Sequence, residues 1–488
     1  METIRIQNLK SILDSGEIEL KDMTVVIGKN SSGKSTLLRV FPLLKQSIAK
    51  RLSSPILWYG DYVDFGSFKK ALHHDAQREE IILTFSLGKI SLFDSYSDSH
   101  QTETTLSLTF NDKNISEYLI CFKGYGELLF KLHDKGHYQL FLDKELIENI
   151  KFRPAIEDSF FPKKTDTQKS IYYYRYRLMM DDLIFESITN VNKSNNNDLT
   201  PLIITFDKNR RMKICEKLYK EAPKRFIFKD DSEKMPAEKI ADIFLEEAIS
   251  DLLNGVEKAF KSTFENIQYF GPLRSRGDRF YRVQGLNVDE VDSNGDNAPM
   301  ILYRMNNVEK KKFQEWCTEN LGFYYDVLDS GDGNETTSVI VRCDSNNDDY
   351  NMTDVGFGYS QIFPIILSIW ISFFSSLRGR DVSHKIIVIE QPELHLHPAF
   401  QKKIINTFFK LSQIVRNRKK SLKFVIETHS ETIVNHLGLL VSEDKIDRNM
   451  INLLVCEKSN NESIFNKMIF NSDGTIQNWP AGFFSDDE

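Results

Sequence analysis

Residues Gly28-Lys29-Asn30-Ser31-Ser32-Gly33-Lys34-Ser35-Thr36 set two glycines, a lysine and paired hydroxyls at the spacing that cradles a chain of phosphates. Gly28 and Gly33 let the backbone curl until successive N–H groups, those of Asn30, Ser32 and Thr36 among them, face phosphate oxygens. Lys34 is placed to neutralise the β- and γ-phosphates, and the Ser35 hydroxyl to ligate Mg²⁺. Far along the chain, Glu390 and Glu393 close an apolar run, as does His429 in Glu427-Thr428-His429-Ser430. An acid at such a position polarises a Mg²⁺-bound water or orients the attacking one. Between the two halves, Gly356-Phe357-Gly358-Tyr359-Ser360-Gln361 opens a helix-like segment and offers a second phosphate cradle through Gly358, Ser360 and Gln361. Glu393, His395 and His397 invite a zinc reading, but their spacing matches no standard helical metal motif.

These groups need a scaffold that delivers them to one edge. Met23-Thr24-Val25-Val26-Ile27 is a short, β-branched apolar run suited to a buried strand, and Leu37-Leu38-Arg39-Val40 continues from the loop as a helix. Lys385-Ile386-Ile387-Val388-Ile389 and Phe424-Val425-Ile426-Glu427 are further buried strands, joined by a helix-like stretch from Pro398 through Val415. The strand ending on Glu390 is expected beside that of the phosphate loop. Strand–loop–helix followed by strand–helix–strand is an α/β pattern.

The rest of the chain is ordinary in composition: 488 residues, 41% hydrophobic and 27% charged, which excludes a collagen-like or disordered protein. A net charge of -7 leaves nucleic-acid contact to local basic patches. Cys121, Cys215, Cys317, Cys343 and Cys456 are scattered singly, without a CxxC pair, which reads as reduced thiols of a cytoplasmic protein. Met1 to Arg5 lacks the apolar stretch of a signal peptide, and Ile362 to Phe374 is too short to span a bilayer, so no membrane partner is expected.

Phosphate loop, Gly-Ser signature, acidic strand and strand-end histidine, in that order, resemble the ABC/SMC-type P-loop ATPase head, a mixed sheet with flanking helices. The wording of Ile389 to Pro398, of Gly356 to Gln361, of Glu427 to Ser430, of Tyr269-Phe270-Gly271-Pro272-Leu273-Arg274 and of Trp479 to Phe484 is similar to the OLD/RecF-like ATPases. Many of those serve bacterial anti-phage defence, among them the ATPase subunits of Septu and PARIS. The resemblance covers roughly residues 1–90 and 265–488. It implies ATP and Mg²⁺ as cofactors and a head-to-tail pairing of two copies, or a higher oligomer. ATP on Lys34 and Ser35 of one copy would be sandwiched by Gly358 and Ser360 of the other. His429 would sense the γ-phosphate, His397 would lie at the dimer seam, and Asp64, in Tyr62 to Ser67, would be the polar candidate of the glutamine loop and a metal ligand.

Two departures shape the expected chemistry. The family places a catalytic glutamate directly after the first acid, whereas this chain has Gln391, which has no carboxylate to take a proton. Slow hydrolysis is expected, with Glu390 on Mg²⁺ and Glu393 near the water. Only a short tail follows His429, with no room for the nuclease domain of OLD proteins, so the effector is expected on another chain, an HNH or Toprim nuclease. A RecF-like repair ATPase binding DNA is the alternative.

The ATPase is read as residues 1–90 and 265–488, with a large α+β insertion at 91–264. In the insertion, Thr105 to Phe110 and Glu127 to Leu132 read as strands, and Ala237 to Ile249 and Asp251 to Phe264 as two helices. Tyr172 to Arg177 interleaves aromatic and basic residues, and Lys208, Arg210, Arg211, Lys213, Lys217, Lys220, Lys224 and Arg225 form a basic run. Either would suit DNA, a partner protein or plain solvation.

Overall fold

The structure, a computed structural model, describes residues 1–49, 54–91, 101–154, 159–164, 237–272, 274, 277–283, 290–329, 336–343, 346–374 and 382–479, with single positions between 206 and 216. The aromatic–basic stretch at 172–177, most of the basic run and residues 480–488 lie outside the described residues. The chain forms two compact units: Met1–Leu9, Ser47–Leu57 and Ser67–Glu265 in one, Lys10–Gln46, Trp58–Gly66 and Asn266–Glu488 in the other.

The first unit is an antiparallel sheet. Strand Thr3–Leu9 pairs with Ile81–Ser91, and the sheet continues through Gln101–Phe110, Ile115–Phe122, Gly126–Leu132, Tyr138–Leu142 and Glu145–Arg153, each beside its sequence neighbour. Alternating burial along Ile81–Ser91 marks one face as covered. Phe85, on that face, meets Phe260 and Phe264 edge-on at 6.1 and 5.3 Å. Both belong to the helix Ala237–Glu265.

Two expectations are corrected here. The two helices expected at 237–264 are one of 29 residues. Leu245, Ile249, Leu252, Val256, Phe260 and Phe264 are buried at steps of three and four, so a single apolar stripe runs through the expected break. Ser250, within that break, donates its hydroxyl to the Glu246 carbonyl and stays inside the helix. The expected boundary at 90 falls inside a strand, because Ile81–Ser91 is hydrogen-bonded on both edges, to Thr3–Leu9 and to Gln101–Phe110.

The second unit has a parallel core in the order Ile267–Phe270, His384–Glu390, Ser421–Thr428, Met23–Gly28, Ile451–Ser459, extended by the antiparallel strands Glu462–Phe470 and Ile476–Gln477. Every residue of Met23–Gly28 is buried, as a strand covered on both faces requires. Helices Pro398–Asn417 and Glu431–Ser442 make the crossovers between His384–Glu390, Ser421–Thr428 and Ile451–Ser459. The helix Phe357–Phe373 is apolar nearly all round and buried from Ser360 to Phe373, which makes it a core helix. Among the described residues no helix is long and apolar enough to cross a membrane. The expected α/β architecture, mixed sheet with flanking helices, is what this unit contains.

One positional expectation changes. The strand ending on Glu390 is not beside the phosphate-loop strand; Ser421–Thr428 lies between them. All three are short, apolar and buried on both faces, so nothing in their local pattern ranks them across the sheet.

Candidate nucleotide site

The parallel strands bring their carboxyl ends to one edge: Glu390 lies opposite Glu427, Thr428 opposite Ile27, and Cys456 opposite Gly28. At that edge the chain leaves Gly28 in a tight loop. A Cβ on Gly28 would stand 2.3 Å from the Cys456 carbonyl oxygen and 2.8 Å from Ser32 Oγ. Gly33 has φ +109°, and a Cβ there would stand 2.0 Å from Ser463 Oγ. Only glycine fits either position. Helix Lys34–Ile48 starts directly from the loop, with the Thr36 and Leu37 amides turned back to the Gly33 carbonyl at 3.1 and 3.3 Å.

The loop's polar groups suit an anion. Ser32 Oγ is buried with no hydrogen-bond partner, a cost that a phosphate oxygen would remove. Lys34, 3% exposed, folds back to donate to the Lys29 carbonyl at 2.7 Å. Burial pulls its pKa down, against the pull of Glu427, Cys456 and Glu393. Asn30 lies exposed at the loop's crown. Cys456 Sγ sits 3.2 Å from the Ser32 carbonyl, under the loop, and burial pushes the thiol up to about 11. Glycine cradle, orphaned hydroxyl, buried lysine and helix start together fit a nucleotide's phosphates.

Three carboxylates gather next to it. Glu390, 2% exposed, is taken by neighbours: Arg39 Nε and Nη2 donate to its two oxygens at 2.8 Å each, and the Tyr269 hydroxyl donates to Oε1 at 2.8 Å. Arg274 donates from Nη2 to the Glu390 carbonyl at 2.8 Å, and burial lowers its pKa to about 10, still a cation at neutral pH. Burial, then the adjacent Glu390, raises the Tyr269 phenol well above its ordinary value and keeps it a donor.

Glu393 turns the other way. Its Oε1 accepts the His429 N–H at 2.7 Å, Oε2 is buried without a partner, and burial raises its pKa. His429 is pulled below its ordinary value by burial and then by Lys34, so the ring is neutral at pH 7. Gln391, at φ +46°, gives its amide N–H to the Glu427 carbonyl at 2.8 Å and so ties the two strand ends together.

The sequence alone assigns Glu427 no role. It is 3% exposed, its Oε1 accepts the Ser35 hydroxyl at 3.0 Å, and its Oε2 is buried with no partner. Burial and then the negative charge of Glu390 raise its pKa. The available signal was an acid one residue before the strand's end, the same register that places Glu390. Arg39 was hidden in a helix whose pattern reads as simply amphipathic, and Arg274 and Tyr269 were visible only as parts of a motif.

Other expected residues stand elsewhere. Gly358 lies in the first turn of helix Phe357–Phe373, where a Cβ would meet the Phe400 ring at 3.2 Å. Ser360 and Gln361 are buried, at 4% and 3% exposure, and the Tyr325 hydroxyl donates to the Tyr359 carbonyl at 2.8 Å. Asp64 is exposed, and its Oδ1 accepts the Gly66 amide at 2.6 Å in a local turn. The loop before it is held by Gln46, 1% exposed, which accepts the Tyr62 and Val63 amides at 3.2 Å each. His397 caps helix Pro398–Asn417 through Ala399 N, and His395 takes φ +62°. Among the described residues only His73, His74 and Asp75 bring three potential metal-ligand atoms together, so Glu393, His395 and His397 form no such group.

A family model described as AAA ATPase domain matches residues 1–434. Similar solved structures include the Smc head domain with an extended coiled coil bound to the C-terminal domain of ScpA, from Pyrococcus furiosus. It shares 10% identity over 96% of this chain and 96% of that chain, at a TM-score of 0.34. The SMC head domain from Thermotoga maritima shares 11% over 96% of this chain and 98% of that one, at 0.36. Likenesses this remote say nothing of what the chain does. No curated protein matches it. The family match spans most of the sequence and includes the phosphate loop and the acidic strand ends. The chain belongs to the AAA ATPase domain family.

Proposed function

We propose that this protein binds ATP with Mg²⁺ and hydrolyses it slowly, as the ATPase subunit of a bacterial anti-phage defence complex whose nuclease is a separate chain. The observation that carries the ATPase part is the convergence of a glycine-built loop, Lys34, Ser35, the strand-end carboxylates Glu390 and Glu427, and Glu393 in the turn that follows. Lys34 leaves the Lys29 carbonyl to meet phosphate oxygens. The Ser35 hydroxyl oxygen would hold the metal, which would supply charge neutralisation on the phosphates when bound. His429, neutral and held by Glu393, senses the terminal phosphate. Gln391 cannot take a proton, and Glu393, whose Oε1 holds the His429 amide and whose Oε2 is unpartnered, is the acid assigned to the attacking water.

The defence assignment is supported by motif wording, above all Glu390-Gln391-Pro392-Glu393-Leu394-His395-Leu396-His397-Pro398 and Glu427-Thr428-His429-Ser430. ATP would set the pairing of two copies and thereby gate the effector. Because Ser360 and Gln361 are buried within the protomer, closing a sandwich through this segment requires it to open.

ATP turnover by the purified chain, beside Lys34→Ala and Glu393→Gln, tests the reading. Turnover in the wild type that both variants lose supports hydrolysis with Glu393 as the water-directing acid. A wild type that binds no nucleotide would sink it. Co-purification with a co-expressed nuclease, changed by ATP, tests the defence assignment; turnover stimulated by duplex DNA, with no partner retained, would favour a repair ATPase instead.

A further inference from the structure

We infer that Glu427, not Glu390, is the carboxylate that holds Mg²⁺ together with Ser35, a role that presupposes the ATPase reading above and sharpens it. Three observations converge. First, Glu427 alone of the three carboxylates touches the hydroxyl expected on the metal, with Oε1 3.0 Å from Ser35 Oγ. Second, its Oε2 is buried with no partner in a residue only 3% exposed. An unpaired buried carboxylate oxygen is costly, and a hard divalent cation that takes oxygen ligands is the group that removes the cost. Third, Glu390 is already satisfied: both its oxygens are bound by Arg39, and Oε1 by Tyr269 as well.

The strand order supports the same choice. Ser421–Thr428 is the immediate neighbour of the phosphate-loop strand, and the strand ending on Glu390 is one place further away. Glu427 therefore stands between the loop and Glu390, opposite Val26 on one side and Glu390 on the other. For Glu390 to take a metal on Ser35, it would have to break its bidentate pair with Arg39. Glu427 needs only to exchange a hydroxyl proton for a cation. On this arrangement Glu390 is a positioning residue, fixing the Arg39 guanidinium and the Tyr269 ring.

The test separates metal from nucleotide. Affinity for a non-hydrolysable ATP analogue is measured by calorimetry with Mg²⁺ and with EDTA, for the wild type, Glu427→Gln, Glu427→Asp and Glu390→Gln. The expected result is a Mg²⁺-dependent gain of about tenfold or more in the wild type. Glu427→Gln should lose that gain while keeping its affinity in EDTA, Glu427→Asp should recover part of it, and Glu390→Gln should keep it. The Mn²⁺ electron paramagnetic resonance signal of the bound complex should broaden or vanish with Glu427→Gln alone. If Glu427→Gln keeps the gain and Glu390→Gln loses it, the assignment is overturned while the ATPase reading stands. If the wild type binds no analogue in either buffer, both fall together. Should the amide variant not fold, Glu427→Asp and Glu390→Gln decide together: full retention of the gain and of the manganese signal by the first, with both lost by the second, would refute the assignment.

Discussion

The Arg39–Glu390 pair makes a quantitative prediction. At 2.8 Å and an effective dielectric constant of about 20, a unit charge pair attracts by about 6 kcal/mol. Most of that is offset, because Glu390 gives up its water, its side chain being 2% exposed. The Arg39 side chain is 40% exposed, so solvent screens its end of the pair. A net coupling of about 2 kcal/mol remains, above that of an open surface pair and helped by the two-pronged geometry. The two single variants should differ. Arg39→Ala strands a buried carboxylate with only Tyr269 as donor, and should cost about 2–3 kcal/mol. Glu390→Gln leaves a half-exposed guanidinium free to turn to water, and should cost about 1 kcal/mol. A double-mutant cycle followed by urea unfolding measures the coupling directly. A coupling below about 0.5 kcal/mol, or a Glu390→Gln penalty larger than that of Arg39→Ala, would refute the closed, buried pair and return Glu390 to the list of free acids.

The other predictions follow from the same edge of the sheet. Gly33→Ala should abolish nucleotide binding and destabilise the fold by about 1–3 kcal/mol, since φ is +109° and the added methyl would overlap Ser463 Oγ; calorimetry and a melting curve check both. Glu393→Gln should stabilise the protein at pH 7.5 while removing turnover. Burial raises the folded-state pKa above the ordinary 4.5 of a glutamate, so the carboxylate's stability contribution is greatest below that value and is lost as pH rises through the folded pKa. The gap between variant and wild type should close as the pH approaches 4.5. His429 has the opposite sign: its folded pKa lies below 6.5, so its contribution is present above 6.5 and lost as pH falls through the folded pKa. Wild type should lose its stability advantage over His429→Gln on acidification, read from melting midpoints across that window.

The phosphate loop was legible because its chemistry is contiguous: nine residues carry the glycines, the lysine and the hydroxyl, and the flanking strand and helix are implied by the same stretch. The carboxylate set was only half legible. Glu390 and Glu393 announce themselves beside Pro392, while Glu427 looks like the last residue of a strand, and its meaning depends on which strand lies next to the phosphate loop. That order is fixed by crossover packing across the sheet, and three apolar strands of like composition leave no mark of it. Arg39 shows the same limit, as its partner is 351 positions away along the chain. The helix at 237–265 failed differently: Ser250 and Asp251 look like a break, but an apolar stripe on the covered face outweighs two polar residues on the other side.

Cys456 lies beneath the phosphate loop, its sulfur against the Ser32 carbonyl and its thiol held protonated by burial. Thiolate chemistry there is closed to any reagent until the loop lifts, so the sulfur is a clock for that event. With the remaining cysteines replaced, the rate of maleimide capture at Cys456 would count loop openings one by one, and its slowing by nucleotide would report how firmly the phosphates pin the loop. The protein thereby carries its own reporter of ligand-coupled motion, one atom deep behind the site it reports on.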